Sequence, residues 1–208
     1  MKKYYISAIV IFLVIMIGSA RADDADYSKP LEVAKGFCQS EFEGNPDQDQ
    51  RDVLAKFSKK RENAAIKKGG KLGASWFDMS AYPLIVITGY EITGVTMKGH
   101  SANVSVVYQQ VAKTSGAGVY DRRFVKDIKP SQIVTIQMVN EKNRWWVYDP
   151  GLPRVSKDVL LNSEKRLYDL YIEGERKHQL LPFEQKHIPL VKHNIEVLES
   201  LPGSPVMK

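Results

Sequence analysis

Apolar side chains recur at helical spacing near the start of the chain. Leu31, Ala34, Phe37, Cys38 and Phe42 share one face with Glu41. Ser28 is placed to cap this helix, Pro30 suits its first turn, and Gly44-Asn45-Pro46 ends it. Asp49 opens a second amphipathic stretch with Val53, Leu54 and Phe57 on one face, which runs into the charged segment Lys59 to Lys68. Gly69, Gly70 and Gly73 interrupt the chain after it. From Tyr82 to Asp149 the pattern becomes extended: Leu84 to Ile87, Ile92 to Met97, Ala102 to Val111, Gln132 to Val139 and Arg144 to Asp149 are rich in Val, Ile, Thr and aromatics. Short turns at Lys98-Gly99-His100-Ser101 and Glu141-Lys142-Asn143 leave no room for parallel crossovers, so an antiparallel meander is predicted. Ser156 is placed to cap a third helix with Val159, Leu160, Leu167, Leu170 and Tyr171 inward. A last helical stretch covers about 184–201, interrupted by Pro189.

The second hairpin carries a parity argument. Val134, Ile136 and Met138 form one apolar face. An even-numbered loop places Trp145 and Val147 opposite that face, and an odd one places Trp146 and Tyr148 there. The even loop makes the more coherent core patch and predicts Trp145 buried, with Trp146 more exposed.

Ahead of these elements stands a leader. Lys2 and Lys3 precede an apolar run from Ile6 to Ile17 with only Ser7 polar, and Ala20 and Ala22 form an A-x-A pattern. The run is shorter than the roughly 20 apolar residues that a spanning helix needs. Residues 1–22 are therefore expected to be a signal peptide, placing the protein in the periplasm or outside the cell, with no membrane span after cleavage. No cysteine stands at the cleavage point, so no lipid is expected there. The remaining 186 residues suffice for one α+β unit, residues 23–155, with residues 156–208 as a C-terminal helical extension packed on it.

Charge and cysteine content narrow the function classes. The whole chain is +6; without Lys2, Lys3 and Arg21 it keeps 27 basic and 24 acidic side chains, a net of +3. That is too small for a nucleic-acid partner to be expected. Cys38 is the only cysteine, so the fold rests on its core rather than on an intramolecular disulfide, and a buried Cys38 on an amphipathic helix is no nucleophile. His178, His187 and His193 are spaced by nine and six residues, where a helical metal site needs three or four. No G-x-S-x-G or phosphate-loop pattern occurs. Neither a catalytic residue, a metal nor a cofactor is expected. If a general acid or base operates here, Asp78, His100 and Asp149 are the candidates.

Helices followed by a curved antiparallel meander ending in a Trp-bearing strand resemble the NTF2-like (cystatin-like) superfamily, over roughly residues 28–150. Trp145-Trp146-Val147-Tyr148-Asp149, followed by Val155-Ser156 and a helix, is similar to the end of the periplasmic phospholipid-carrier (toluene-tolerance) family; Asp149-Pro150-Gly151-Leu152-Pro153 and the stretch past Glu173 differ from it. The resemblance implies N-terminal helices packed on a curved sheet that encloses a cone. Tyr82, Tyr90, Tyr108, Trp145 and Trp146 are then candidate ligand-lining residues, or ordinary core. The leading expectation is an exported non-enzymatic domain that binds a small apolar ligand or an envelope protein. A periplasmic lipid carrier and a cone-pocket lyase or isomerase are the alternatives.

Cleavage is expected after Ala22. N-terminal sequencing of the exported protein checks this, and a mature chain still beginning at Met1 refutes it.

Overall fold

The computed structural model describes residues 26–43, 56–58, 84–115, 122–126, 131–149 and 152–203, with only the backbone at Asp149. The leader, most of the second helical stretch, Asp78 and Tyr82 lie outside the described residues. Within them the architecture is α+β: three helices and a curled mixed sheet. Helix α1 is Pro30–Glu43. Strands β1 (Ile85–Lys98), β2 (Ser101–Ser115), β3 (Arg123–Lys126), β4 (Gln132–Glu141), β5 (Arg144–Asp149) and β6 (Arg154–Ser156) follow, then α2 (Lys157–Arg176) and α3 (Pro182–Ser200). Among the described residues, no helix is long and apolar enough to cross a membrane.

The strand order is β5-β4-β2-β1-β6, with β3 also on β2. The long β2 is central. It pairs along one edge with β1, and along the other with β4 over Ser101–Tyr108 and with β3 over Ala112–Ser115. Its side chains alternate almost without fault, with Ala102, Val104, Val106, Tyr108, Gln110, Ala112 and Thr114 buried and their neighbours more exposed. Ile92 to Met97 is no separate strand, because β1 runs unbroken from Ile85 to Lys98, helped by irregularities between Val86 and Gly89 and between Ile92 and Gly94. Such extra residues bend a strand and increase its twist, which curls this sheet.

Both hairpins close through two-residue loops. Gly99 occupies the left-handed region at φ 58° in the first; Lys142 (φ 53°) and Asn143 (φ 60°) do so in the second. That double positive φ belongs to a type I′ turn, whose twist matches the strands it joins. The loop is therefore even, and Met138 pairs with Val147 and Asn140 with Trp145. Ile136, Met138, Trp145 and Val147 all fall in the core. Trp146, expected to be more exposed, is also largely covered: it is 9% exposed against 4% for Trp145. The cause is Arg144, whose guanidinium lies 4.2 Å from the Trp146 ring and 4.1 Å from that of Tyr27.

The purely antiparallel meander needs one correction. Arg154–Ser156 pairs with Ile85–Ile87 in parallel. A three-residue strand of this kind has no periodicity to read, and its partner lies far away in sequence. Ser156 then caps α2, its Oγ accepting from Asp158 N at 3.2 Å. The buried face of α2 is Lys157, Leu160, Glu164 and Tyr171; Leu170, expected inward, is exposed. Helix α3 begins at Pro182, where Glu184 reaches back to accept from Leu181 N, and it continues through Pro189. Ser28 does not cap α1: its hydroxyl donates to Asp26.

Helices α2 and α3 are tied to the sheet by buried polar groups. Arg122 Nη2 lies 3.2 Å from Glu164 Oε1, and Asn194 Nδ2 donates to both Arg122 O and Glu164 Oε2. Lys157 Nζ donates to Leu201 O, joining the start of α2 to the end of α3. Substituting Trp145→Ala should lower the unfolding free energy by about 3–5 kcal/mol, through lost packing and a residual cavity. Trp146→Ala should cost less, because one face of its ring rests on the Arg144 side chain rather than on the apolar core. Urea unfolding of the two variants checks the order, and equal losses would refute it.

Candidate functional site

Two regions bear on function, one on each side of the sheet. The inner side is where α1 crosses the strands. Helical spacing brings Val33, Ala34, Phe37, Cys38 and Glu41 onto the buried face of α1. Opposite them, β2 presents Tyr108 and its cross-strand neighbour Tyr90 on β1. The Tyr90 and Tyr108 rings are 6.2 Å apart, and Phe42 meets Tyr90 edge-on at 5.7 Å.

A buried polar group sits within this apolar frame. Cys38 Sγ and Tyr108 Oη, 3.3 Å apart, share a hydrogen bond. The guanidinium of Arg154 lies 4.5 Å from the centre of the Tyr108 ring, and its Nη1 donates to Leu152 O. Glu41 is completely buried on the same helix face, one turn beyond Cys38. Burial pushes the Cys38 thiol up to about 12, and the Glu41 carboxylate adds to the shift, while the hydrogen bond from Tyr108 and the charge of Arg154 oppose it. Burial likewise pushes both phenols upward: Tyr108 is raised further by Cys38 and Glu41, and Tyr90 by Cys38 and Glu43. At neutral pH the thiol and both phenols are therefore protonated. Cys38 and Tyr108 share their hydrogen bond, and Tyr90 packs beside Tyr108.

Of the ligand-lining candidates, Tyr82 lies outside the described residues. Tyr90, Tyr108 and Trp145 belong to the inner side, and Tyr108 and Trp145 are core. Trp146 belongs to the outer side, paired with Val139 and stacked on Arg144. His100 is an exposed residue of the β1–β2 turn, and Asp149 pairs with Gln137 at the end of β5. His178 and His193 are exposed, and among the described residues no three His, Cys, Asp or Glu side chains are grouped as a metal site. Glu41 is interior, as its place on the apolar face of the first helix implied, whereas Arg154 was not anticipated there. Arg154 gave no such signal.

The outer side is different in character. An open depression of about 320 Å³ is lined by Ser101, Asn103, Gln137, Met138, Val139 and Tyr148. Tyr148 is 61% exposed and Ile133, at the start of β4, is 72% exposed. Both stand on a sheet face that no described helix covers. Compared with known protein families, curated proteins and solved structures, the chain matches none of them.

The Cys38 thiol should resist alkylation in the folded protein at pH 8, since a group of pKa about 12 is ionised there in only about one molecule in ten thousand. It should react promptly in urea. Because the folded value lies above the unfolded one of 9.0, this thiol's contribution to stability is intact below pH 9 and is lost as the pH rises towards 12. Rapid labelling of the native protein by iodoacetamide would refute the assignment.

Proposed function

We propose that this protein is an exported, non-catalytic α+β domain of the NTF2-like type that binds an envelope protein through the outer face of its sheet. The observation that carries the reading is the contrast between the two sides. On such a scaffold a small ligand or a lipid would occupy the inner side. Here that side is filled by Phe37, Phe57, Tyr108, Ile136, Met138 and Trp145, all in one core cluster. The protonated thiol and phenols among them supply no acid-base chemistry at neutral pH. The outer side instead offers exposed Ile133 and Tyr148, half-buried Val107 and Val139, and the amide groups of Asn103 and Gln137. Aromatic and aliphatic anchors beside adaptable amides are the usual makings of a protein-binding surface.

A photoreactive residue placed at Ile133 or at Tyr148 should give one discrete adduct with an envelope protein in the producing cell, and the same probe at Lys165 on α2 should give none. Equal labelling from all three positions would refute the surface. Native mass spectrometry of the purified protein should show the bare chain, and a co-purified lipid would overturn the reading in favour of a carrier.

A further inference from the structure

The far end of the α2–α3 pair stands clear of the core. Lys157 at the start of α2 reaches Leu201 just past the end of α3, and Glu164 meets Asn194, so the two helices run antiparallel. Buried side chains gather towards that joined end: Leu160 and Glu164 on α2, Val191, Asn194 and Leu198 on α3. Tyr171 is the last buried residue of α2, and no residue from Ile172 to Leu190 is buried. At this end three large apolar side chains face solvent. Leu170 is 57% exposed, Leu181 52% and Phe183 43%.

The connector that presents them is firmly built. Lys177 N donates to Glu173 O at 3.1 Å, His178 N to Glu175 O at 3.0 Å and Gln179 N to Gly174 O at 2.9 Å. Gly174 makes room for Leu180, since a Cβ there would come within 2.7 Å of Leu180 Cδ2. Leu170 lies one turn from Gly174 on the same face of α2, the side along which the connector runs. At the start of α3, Glu184 accepts from Leu181 N at 2.8 Å, and Pro182 suits the first turn. Leu181 therefore holds the N-cap position. Leucine has no side-chain oxygen and is among the poorest residues there. A local rule is broken with little packing gain, which is the mark of a working surface.

Size and charge identify what this tip fits. Three such side chains, about half exposed, offer on the order of 300 Å², whereas a stable protein interface buries roughly 800 Å² per partner. That is too little for a second copy or another protein. A bilayer has no fixed shape to match, and it takes up whatever apolar side chains reach its headgroup boundary. The charges at the tip cancel, with Arg176, Lys177 and Lys186 against Glu173, Glu175 and Glu184. Lys177 is also bridged to Glu173. An apolar tip without net charge needs no anionic lipid.

We propose that the far end of the α2–α3 pair is a membrane-surface anchor, which inserts Leu170, Leu181 and Phe183 at the headgroup boundary of a phospholipid bilayer. So few anchors make the attachment weak and reversible, and the rest of the chain stays outside the bilayer. The anchor uses neither Ile133 nor Tyr148, so it stands independently of the envelope-partner reading.

Co-sedimentation of the mature chain, free of its apolar leader, with phosphatidylcholine vesicles at millimolar lipid tests it. The native chain should pellet with the vesicles, and equally so in about 0.5 M sodium chloride, where charge contacts are screened. The Leu181→Ser/Phe183→Ser variant should partition about tenfold less. Val125→Ser, which removes a 43% exposed apolar side chain on β3, should bind like the native chain. Leu181→Ser alone should bind more weakly and yet raise Tm, because serine caps a helix and leucine does not. Weaker binding by a more stable fold separates anchoring from damage to the structure. A native chain that stays in the supernatant, or binding abolished by salt, would overturn the proposal. So would a double variant that binds like the native chain, a lowered Tm for Leu181→Ser, or a native dimer that the double variant dissociates without lipid.

Discussion

Burial of every second side chain of β2 is the constraint on which the rest of this structure depends. The strand pairs with β1, β3 and β4, so its alternation sets the register of three neighbours at once. Its inner residues face α1, and its outer residues form the open face. A slip of one residue would carry Tyr108 and Val106 to the outer side and bring Gln109 and Val107 inward. Loss of that much packed area is a penalty no local gain in a turn could offset. The type I′ turn at Lys142-Asn143 agrees with the same register, so local and long-range preferences point the same way.

Polar groups are buried in two places, and they act differently. Beneath α1, the thiol–phenol pair of Cys38 and Tyr108 is neutral, so its interior position costs little charge desolvation. Arg154 beside them places its guanidinium over an aromatic face and donates to a carbonyl, which suits a cation that hydrates weakly. Between α2, α3 and the start of β3, the Arg122–Glu164 pair is ionic. Burial pushes the Glu164 carboxyl up and the Arg122 guanidinium down, in each case against the pull of the other. Such a pair adds little net stability, yet losing one partner costs about 3–5 kcal/mol because the other charge is left behind. Its effect here is to specify how α2 and α3 dock, through Asn194 as the shared donor.

These arrangements divide the molecule into a filled side and an open side. The filled side holds α1, the aromatic core and protonated side chains, a setting for stability. The open side carries exposed Ile133 and Tyr148 over a shallow polar depression.

The strong signals in the sequence were periodic ones. Helical spacing from Leu31 to Phe42 identified α1 and put Cys38 and Glu41 on one face. Alternation located β2, β4 and β5, and the parity of the Glu141-Lys142-Asn143 turn placed Trp145 with Ile136, Met138 and Val147. Each of these depends only on neighbours in the chain, which is why it was legible. Other features required the assembled fold. The parallel pairing of Arg154–Ser156 with Ile85–Ile87 joins residues far apart in sequence. Leu170 turned outward because the buried stripe of α2 follows Glu164, whose partners just before β3 and on α3 no helical pattern could reveal. Trp146 is covered by an arginine that the closeness of Tyr27 and the Lys56 carbonyl holds in place. The α+β class, the turn chemistry and the inward faces of single elements were thus determined by local periodicity. Which side of the sheet is filled and where the interior charges find partners were decided by tertiary structure, because each depends on contacts between segments that the chain brings together only when it folds.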